Sequence, residues 1–216
     1  MHKNFVRSYY NSLYKSKDYG YVVQPDAWLQ KYASYIPRGI VLELGIGTGK
    51  NVDYLLSQGY QIEGVDISDI AISQLCDQYA QENCTFWVDD ITQMNIPEEK
   101  YALIICSMVI SHLTESQIVE LISKIKRGLI HGGCVYISTM SKDDPMNNKQ
   151  LNMGKSLKRG DIDISVLKRT FLEKEQMKAY FADYDIIELA DIYQKEPKRT
   201  TTAGYFGLIL YLGKKQ

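Results

Sequence analysis

Glu43-Leu44-Gly45-Ile46-Gly47-Thr48-Gly49-Lys50-Asn51 sets an acid, three alternating glycines and a lysine directly behind an apolar run. Glycine at that density lets a backbone turn tightly and approach a ligand closely, so the stretch reads as a binding loop. Two phosphate-binding patterns can be tested on it by counting. A P-loop requires Gly, four residues, then Gly-Lys-Ser/Thr, because its amides wrap phosphates and its hydroxyl holds magnesium. Counting back from Gly49 puts the first required glycine at Leu44, and Asn51 stands where the hydroxyl belongs. The dinucleotide fingerprint is Gly-x-Gly-x-x-Gly, and Gly45, Gly47 and Gly49 fall one residue short of it. Neither phosphate cradle fits, and Lys50 then counts as an ordinary helix-start residue.

Acid-x-Gly-x-Gly-x-Gly at the end of a first strand resembles motif I of the class I S-adenosylmethionine-dependent methyltransferases, with Glu43 as the acid. The methionyl end of that donor carries an ammonium and a carboxylate. A glycine turn offers carbonyls to the first and amides to the second, and Glu43 adds negative charge near the ammonium. Asp66 closes the next apolar run about 20 residues on, where a ribose-binding carboxylate is expected in such folds, and one carboxylate can accept from both ribose hydroxyls. The resemblance implies an acid against the adenine amino group at the end of the third strand. Asp90 keeps the family's spacing better than Asp89, with the following backbone amide, that of Ile91, meeting a ring nitrogen. It also implies a lining segment after the fourth strand, here Ser107 and "MVISHL" (108–113). The opening pair of that strand, where the family often has an acid, is Tyr101-Ala102. The resemblance covers about residues 40–140, and the residues it assigns to the donor are Glu43, Gly45, Gly47, Gly49, Asn51, Asp66, Ile67, Asp89, Asp90, Ile91, Ser107, Met108, Tyr14 and Trp28.

Methyl transfer from a sulfonium is an in-line displacement, and holding nucleophile and methyl in line can supply roughly 7 to 11 kcal/mol of the barrier. A general base helps when the acceptor is a hydroxyl or a protonated amine. His112 is the titratable side chain best placed for that work, with a helix-entry histidine bonded to backbone as the competing reading. Tyr9, Tyr10, Tyr14 and Trp28 could cover a sulfonium by cation-π contact, or simply pack. The Asp-Pro-Pro-Tyr type of motif that marks amino methylation of adenine or glutamine in this superfamily is missing after strand four. A small-molecule acceptor is therefore expected, with RNA, protein, or no acceptor at all as open alternatives. The layout after strand five resembles the tellurite-resistance-type branch, in which Arg169, Lys198 and Arg199 could offer charge to an anion or be solvated loop charges.

The elements that must hold these residues follow from apolar patterning. "GIVLELG" (39–45), "YQIEGVD" (60–66), "TFWVDD" (85–90), "YALIICS" (101–107) and "GCVYISTM" (133–140) are short apolar runs separated by helical patterns. Near-continuous apolar strands between helices signal a parallel sheet covered on both faces. Helices are expected over 50–58, over 68–82 with Ser68 as N-cap, after the capping box "TESQ" (114–117), and after a second box "TFLE" (170–173). The segments 184–193 and 205–213 are too closely connected for a helical crossover and should pair antiparallel. The expected fold is α/β: a doubly wound, seven-stranded, mostly parallel sheet with an antiparallel C-terminal hairpin, in one domain over 1–216. Within it, 1–38 is expected as an aromatic-rich lid or edge cover, 39–140 as the donor-binding core, 141–172 as an insertion facing the acceptor, and 173–216 as a helix and hairpin.

The 25 Lys and Arg against 26 Asp and Glu leave a net charge of -1 with no arm of one sign. Such a balance disfavours a large nucleic-acid partner, whose affinity rests on clustered positive charge. Residues 1–20 lack the apolar core of a signal peptide and no apolar run approaches a membrane span, so a cytoplasmic location without a membrane is expected. Cys76, Cys84, Cys106 and Cys134 are scattered singly and read as reduced thiols, with no metal site. Monomer and homodimer both stay open.

Overall fold

The computed structural model describes residues 2–15, 24–145, 147, 158–159, 162–163, 169–195 and 205–216. A seven-stranded sheet runs through it. Four parallel strands come first: β1 (Ile40–Leu44), β2 (Gln61–Asp66), β3 (Cys84–Val88) and β4 (Tyr101–Ser107). A long fifth, β5 (Leu129–Met140), lies parallel to β4. Two short strands, β6 (Lys158–Arg159) and β7 (Ile162–Asp163), form a separate antiparallel pair inside the expected insertion. The sheet then closes with β8 (Tyr184–Lys195) and β9 (Tyr205–Lys215), both antiparallel to their neighbours, in the order β3-β2-β1-β4-β5-β9-β8.

That order matters for function. The chain winds from β1 outward to β2 and β3, then returns to β4 on the other side of β1. Loops leaving β1 and β4 therefore part in opposite directions and open a crevice at the carboxyl ends of the strands, the usual ligand position in an open α/β sheet.

Residue alternation along the strands divides the core in two. Leu42, Leu44, Ile104 and Cys106 face α5 (Glu115–Gly128) and α6 (Lys174–Tyr180), meeting Ile118, Leu121, Ile125, Met177 and Phe181. Val41, Leu103 and Ile105 face the other way, toward Leu29 of α2 (Ala27–Lys31), Val52 and Leu55 of α3 (Val52–Ser57), and Ile72 and Leu75 of α4 (Asp69–Gln78). Glu43 lies on this second side, an acid in an otherwise apolar strand and only 2% exposed.

Several boundaries differ from the expected ones. The Ser68 hydroxyl caps α4 by accepting from Ala71 N at 3.2 Å, and Thr114 with Gln117 forms the expected capping box of α5. The second capping box is shifted: Glu173 and Gln176 make it, and Thr170 instead donates to the Leu113 carbonyl at 2.5 Å. Strand β5 starts at Leu129 rather than Gly133, because Gly132, at φ +74°, absorbs a register break between the Tyr101–Leu129 and Leu103–Cys134 pairs. Segment 24–36 holds a short helix and a 3-10 turn, Ala33–Tyr35, in place of one continuous helix. The longest N-terminal element is α1 (His2–Lys15), which sequence periodicity had not singled out.

Candidate functional site

The glycine loop leaves β1 with Gly45, Gly47 and Gly49 all at positive φ, between 57 and 70°. At Gly47 the requirement is also steric: a Cβ there would lie 2.8 Å from the Tyr14 hydroxyl of α1. The amide of Gly47 donates to Asp66 Oδ2 at 2.9 Å, and Ser68 N donates to Asp66 Oδ1 at 2.9 Å. One carboxylate at the end of β2 thus fixes the loop after β1 and the turn into α4. Burial raises the Asp66 carboxyl above its ordinary range, and the backbone amides of Ser68 and Gly47 pull the other way.

Beneath the loop, Glu43 Oε1 accepts from Asn51 Nδ2 at 2.9 Å, while Asn51 Oδ1 accepts from the Asp26 amide at 3.0 Å. Asn51 is fully buried. The residue that broke the P-loop pattern carries both a donor and an acceptor, which a serine hydroxyl could not span so far. Glu43 Oε2 is buried with no hydrogen-bond partner among the described residues. Desolvation lifts the Glu43 carboxyl to about 7, opposed by the nearby Lys50 charge and the Asn51 bond.

Lys50 is no bystander. Its Nζ reaches 2.8 Å from Asp26 Oδ2 and donates to Ser107 Oγ at 3.2 Å, and Ser107 Oγ lies 2.9 Å from Ser138 Oγ. Lys50 and Asp26 belong to the site and were missed in the sequence, since nothing local links residue 26 to the loop. Trp28, two residues on, stacks on Tyr32 with 5.9 Å between centroids and lies under Lys31 Nζ; from this part of the chain it is Asp26 that reaches the loop region.

At the end of β3, Asp90 N donates to Asp89 Oδ1 at 2.7 Å, and Asp90 Oδ1 accepts from Thr92 N and Thr92 Oγ1 at 3.0 and 2.7 Å. Ile91 is buried and Ile67 half-buried. After β4, Met108 adopts φ +58°, the left-handed region that a side chain rarely occupies. Its amide donates to the Ser138 carbonyl at 2.8 Å. Strain of this kind costs about 1–3 kcal/mol and persists where the surroundings enforce it, commonly at functional sites.

Helix α1 lies across the crevice. Tyr14 covers Gly47, Arg7 Nε and Asn11 Nδ2 donate to Asp69 Oδ1 at 2.9 and 2.8 Å, and Tyr10 places its hydroxyl 2.8 Å from His112 Nε2. The Arg169 guanidinium also rests against the His112 ring, held by Thr170 N donating to the Ser111 carbonyl at 2.8 Å. Burial first, and Arg169 second, hold His112 well below its ordinary pKa. Lys198 and Arg199, the other expected cations, lie outside the described residues.

The structure therefore gathers Glu43, the three glycines, Asn51, Asp66, Ser107, Met108 and Tyr14 around one crevice, sets Asp89 and Asp90 at the end of the strand flanking it, and joins His112 to it through α1. No cluster of His, Cys, Asp or Glu suited to a metal ion occurs among the described residues, and no helix there is long and apolar enough to cross a membrane.

Comparison with known proteins agrees with this geometry. A family model described as a methyltransferase domain matches residues 41–133. The probable S-adenosyl-L-methionine-dependent methyltransferase TehB of Haemophilus influenzae is 27% identical over 151 residues, covering 68% of this chain; the match spans about half of that relative, 46%. The crystal structure of TehB from the same organism superposes with a TM-score of 0.70 at 21% identity, covering 97% of this chain and 67% of that one. Magnesium protoporphyrin IX methyltransferase from Synechocystis PCC 6803 with bound SAH gives 0.66 at 16%, covering 99% and 100%. These structural likenesses establish the fold. The matched domain and the TehB relative make the central part of the chain similar to S-adenosylmethionine-dependent methyltransferases.

Proposed function

We propose that the protein transfers a methyl group from S-adenosylmethionine to a small-molecule acceptor. The observation that carries the donor half is the loop itself. A Cβ on Gly45, Gly47 or Gly49 would meet Val109, Tyr14 or Leu75 at 2.4–2.8 Å, so only glycine lets the loop turn there, and directly below it Glu43 Oε2 is buried with no hydrogen-bond partner among the described residues. A buried carboxylate oxygen without a partner is costly, at about 1–3 kcal/mol, and a ligand ammonium would relieve that cost. The residues fit the donor.

In this reading Asp66 holds the ribose hydroxyls, since each of its oxygens accepts one backbone amide and keeps a further lone pair. Asp90 and the Ile91 amide meet the adenine, with Asp89 bracing the turn, and Ile67 and Ile91 supply apolar surface. Ser107 and Met108 line the crevice from β4. When bound, the donor supplies a methyl group activated on a sulfonium. What the chain adds is position and exclusion of water: α1 covers the crevice, with the Tyr14 hydroxyl over Gly47 and the Tyr10 hydroxyl on His112.

His112 is the group that could take a proton from an acceptor. It is neutral around pH 7, is in contact with the Tyr10 hydroxyl, and stands at the carboxyl end of β4. The acceptor reading is supported by the balanced charge of the chain, which offers no long basic arm to a nucleic acid. A panel of thiols, phenols, amines and soft oxyanions with labelled methyl donor tests it. Label should move to at least one small molecule. Transfer to RNA or protein alone would refute the acceptor class, and donor binding without any transfer would make the protein a silent donor-binding module.

A further inference from the structure

Lys50, Asp26, Glu43, Ser107 and Tyr136 converge on one spot beside the glycine loop, from four separate stretches of chain. Lys50 Nζ bridges Asp26 Oδ2 and Ser107 Oγ. Glu43 is tied to the same group through Asn51, which holds Glu43 Oε1 with its amide nitrogen and the Asp26 backbone with its amide oxygen. One buried oxygen there, Glu43 Oε2, on a residue 2% exposed, lacks a hydrogen-bond partner among the described residues, and the Tyr136 hydroxyl lies beside Asp26 and Ser138. The Tyr136 phenol feels the Asp26 charge, which together with burial raises its pKa.

We infer that the Lys50–Asp26 ion pair is an exchangeable latch for the amino-acid end of the donor, in which Lys50 takes the ligand carboxylate while Asp26 and Glu43 take its ammonium. This rests on the donor assignment above. The charges argue for it. A lone anion would satisfy Lys50 but strand Asp26, and a lone cation would do the reverse. A zwitterion brings one charge of each sign, so the internal pair can open with every charge still matched. The unpaired Glu43 oxygen fits the same account, because the closed pair leaves it without a donor and an ammonium supplies one. Asp26 is the N-cap of α2 and its amide is tied to Asn51, which leaves its carboxylate to exchange partners while the backbone stays in place. The pair thereby selects donors that keep the amino-acid end and leaves adenosine recognition to Asp66 and the β3 acids.

The test is calorimetric and needs no acceptor. The unmodified protein is titrated with S-adenosylhomocysteine, with its decarboxylated analogue, and with 5′-methylthioadenosine, which lacks the amino-acid end. Loss of the carboxylate should weaken binding about 10- to 100-fold, the range for a charge-assisted hydrogen bond. In Lys50→Met, S-adenosylhomocysteine should weaken by the same factor, methylthioadenosine should stay within about twofold of its value on the unmodified protein, the decarboxylated analogue should bind no more weakly than before, and Lys50→Arg should restore most of the loss. Non-additivity of that kind identifies a direct partnership, and retained methylthioadenosine binding shows that the variant is folded. If Lys50→Met weakens all three ligands alike, or none, the latch is overturned while the donor assignment stands. Equal binding of S-adenosylhomocysteine and its decarboxylated analogue by the unmodified protein overturns it without any variant. If the unmodified protein binds none of the three, the donor assignment itself fails and the latch with it.

Discussion

Glu43→Gln should make the ligand-free protein more stable and worse at holding its donor. The carboxyl is fully buried and its pKa lies at about 7 against an ordinary 4.5, with desolvation as the main cause. Lys50, Asp26, Asn51, Cys106 and Tyr136 are the polar or titratable groups that face it. A raised carboxyl means that the folded chain binds the proton more tightly than the unfolded chain, so stability falls as pH rises from 4.5 to about 7. At about 1.4 kcal/mol per tenfold change in proton affinity, the loss over that window is about 3 kcal/mol. Gln keeps the carbonyl that accepts from Asn51 and never ionises. Urea unfolding at pH 5 should therefore find parent and variant within about 1 kcal/mol of each other. At pH 8 the variant should lead by about 2–3 kcal/mol, or roughly 5–10 °C in melting temperature for a chain of this size. Calorimetry with S-adenosylhomocysteine should show the reverse, weaker binding by the variant, because the ammonium loses a charged partner. A variant no more stable than the parent at pH 8 would refute the reasoning that Glu43 is held ionised at a cost for the ligand's sake.

Two further outcomes follow from the same contacts. Asp66→Ala should weaken S-adenosylhomocysteine by about 1.5–3 kcal/mol in calorimetry, the range for bonds to a charged group, since the change removes the ribose acceptor and the tether on Gly47 N together. Arg169→Ala should raise the His112 titration midpoint, followed by the proton resonance of the imidazole, yet leave it below 6.5 because burial is the larger cause. A depressed histidine favours unfolding as pH falls below about 6.5, so the same variant should also lose less stability on acidification than the parent.

Much of the candidate site was legible because its residues are local in sequence and lie at or near strand ends. Glu43, the three glycines, Asp66 and the Asp89-Asp90 pair each close an apolar run, and period and punctuation place them without any long-range information. Asn51 was legible as part of the candidate site but not the partner that places it, and Lys50 was legible only as a helix-start residue. Their roles depend on Asp26, whose carboxylate and amide reach them only after α2 folds back over the crevice. Helix α1 left a trace that went unread: Phe5, Tyr9 and Leu13 recur at four-residue spacing, as do Tyr10 and Tyr14. That spacing places each set on one helical face, though no cap marks where the helix starts. The shifted capping box has a similar origin. Thr170 and Glu173 are both followed three residues later by Glu or Gln, and the choice falls to Glu173 because the Leu113 carbonyl claims the Thr170 hydroxyl. The expected start of the fifth strand at Gly133 moves to Leu129 because the sheet absorbs a register break in mid-strand, an outcome decided by pairing with β4 rather than by local propensity.

The central claim is that the loop after β1 cradles an adenosyl amino acid donor, and titration of S-adenosylhomocysteine into the parent and Gly47→Val tests it most directly. Gly47 sits at φ +57°, a conformation costly for a β-branched residue, and its added Cβ would meet the Tyr14 hydroxyl at 2.8 Å. One ligand should bind per chain of the parent, and binding should vanish in the variant while its circular dichroism spectrum stays that of a folded α/β protein. Absence of binding to the parent, or undiminished binding to a folded Gly47→Val, would contradict the assignment.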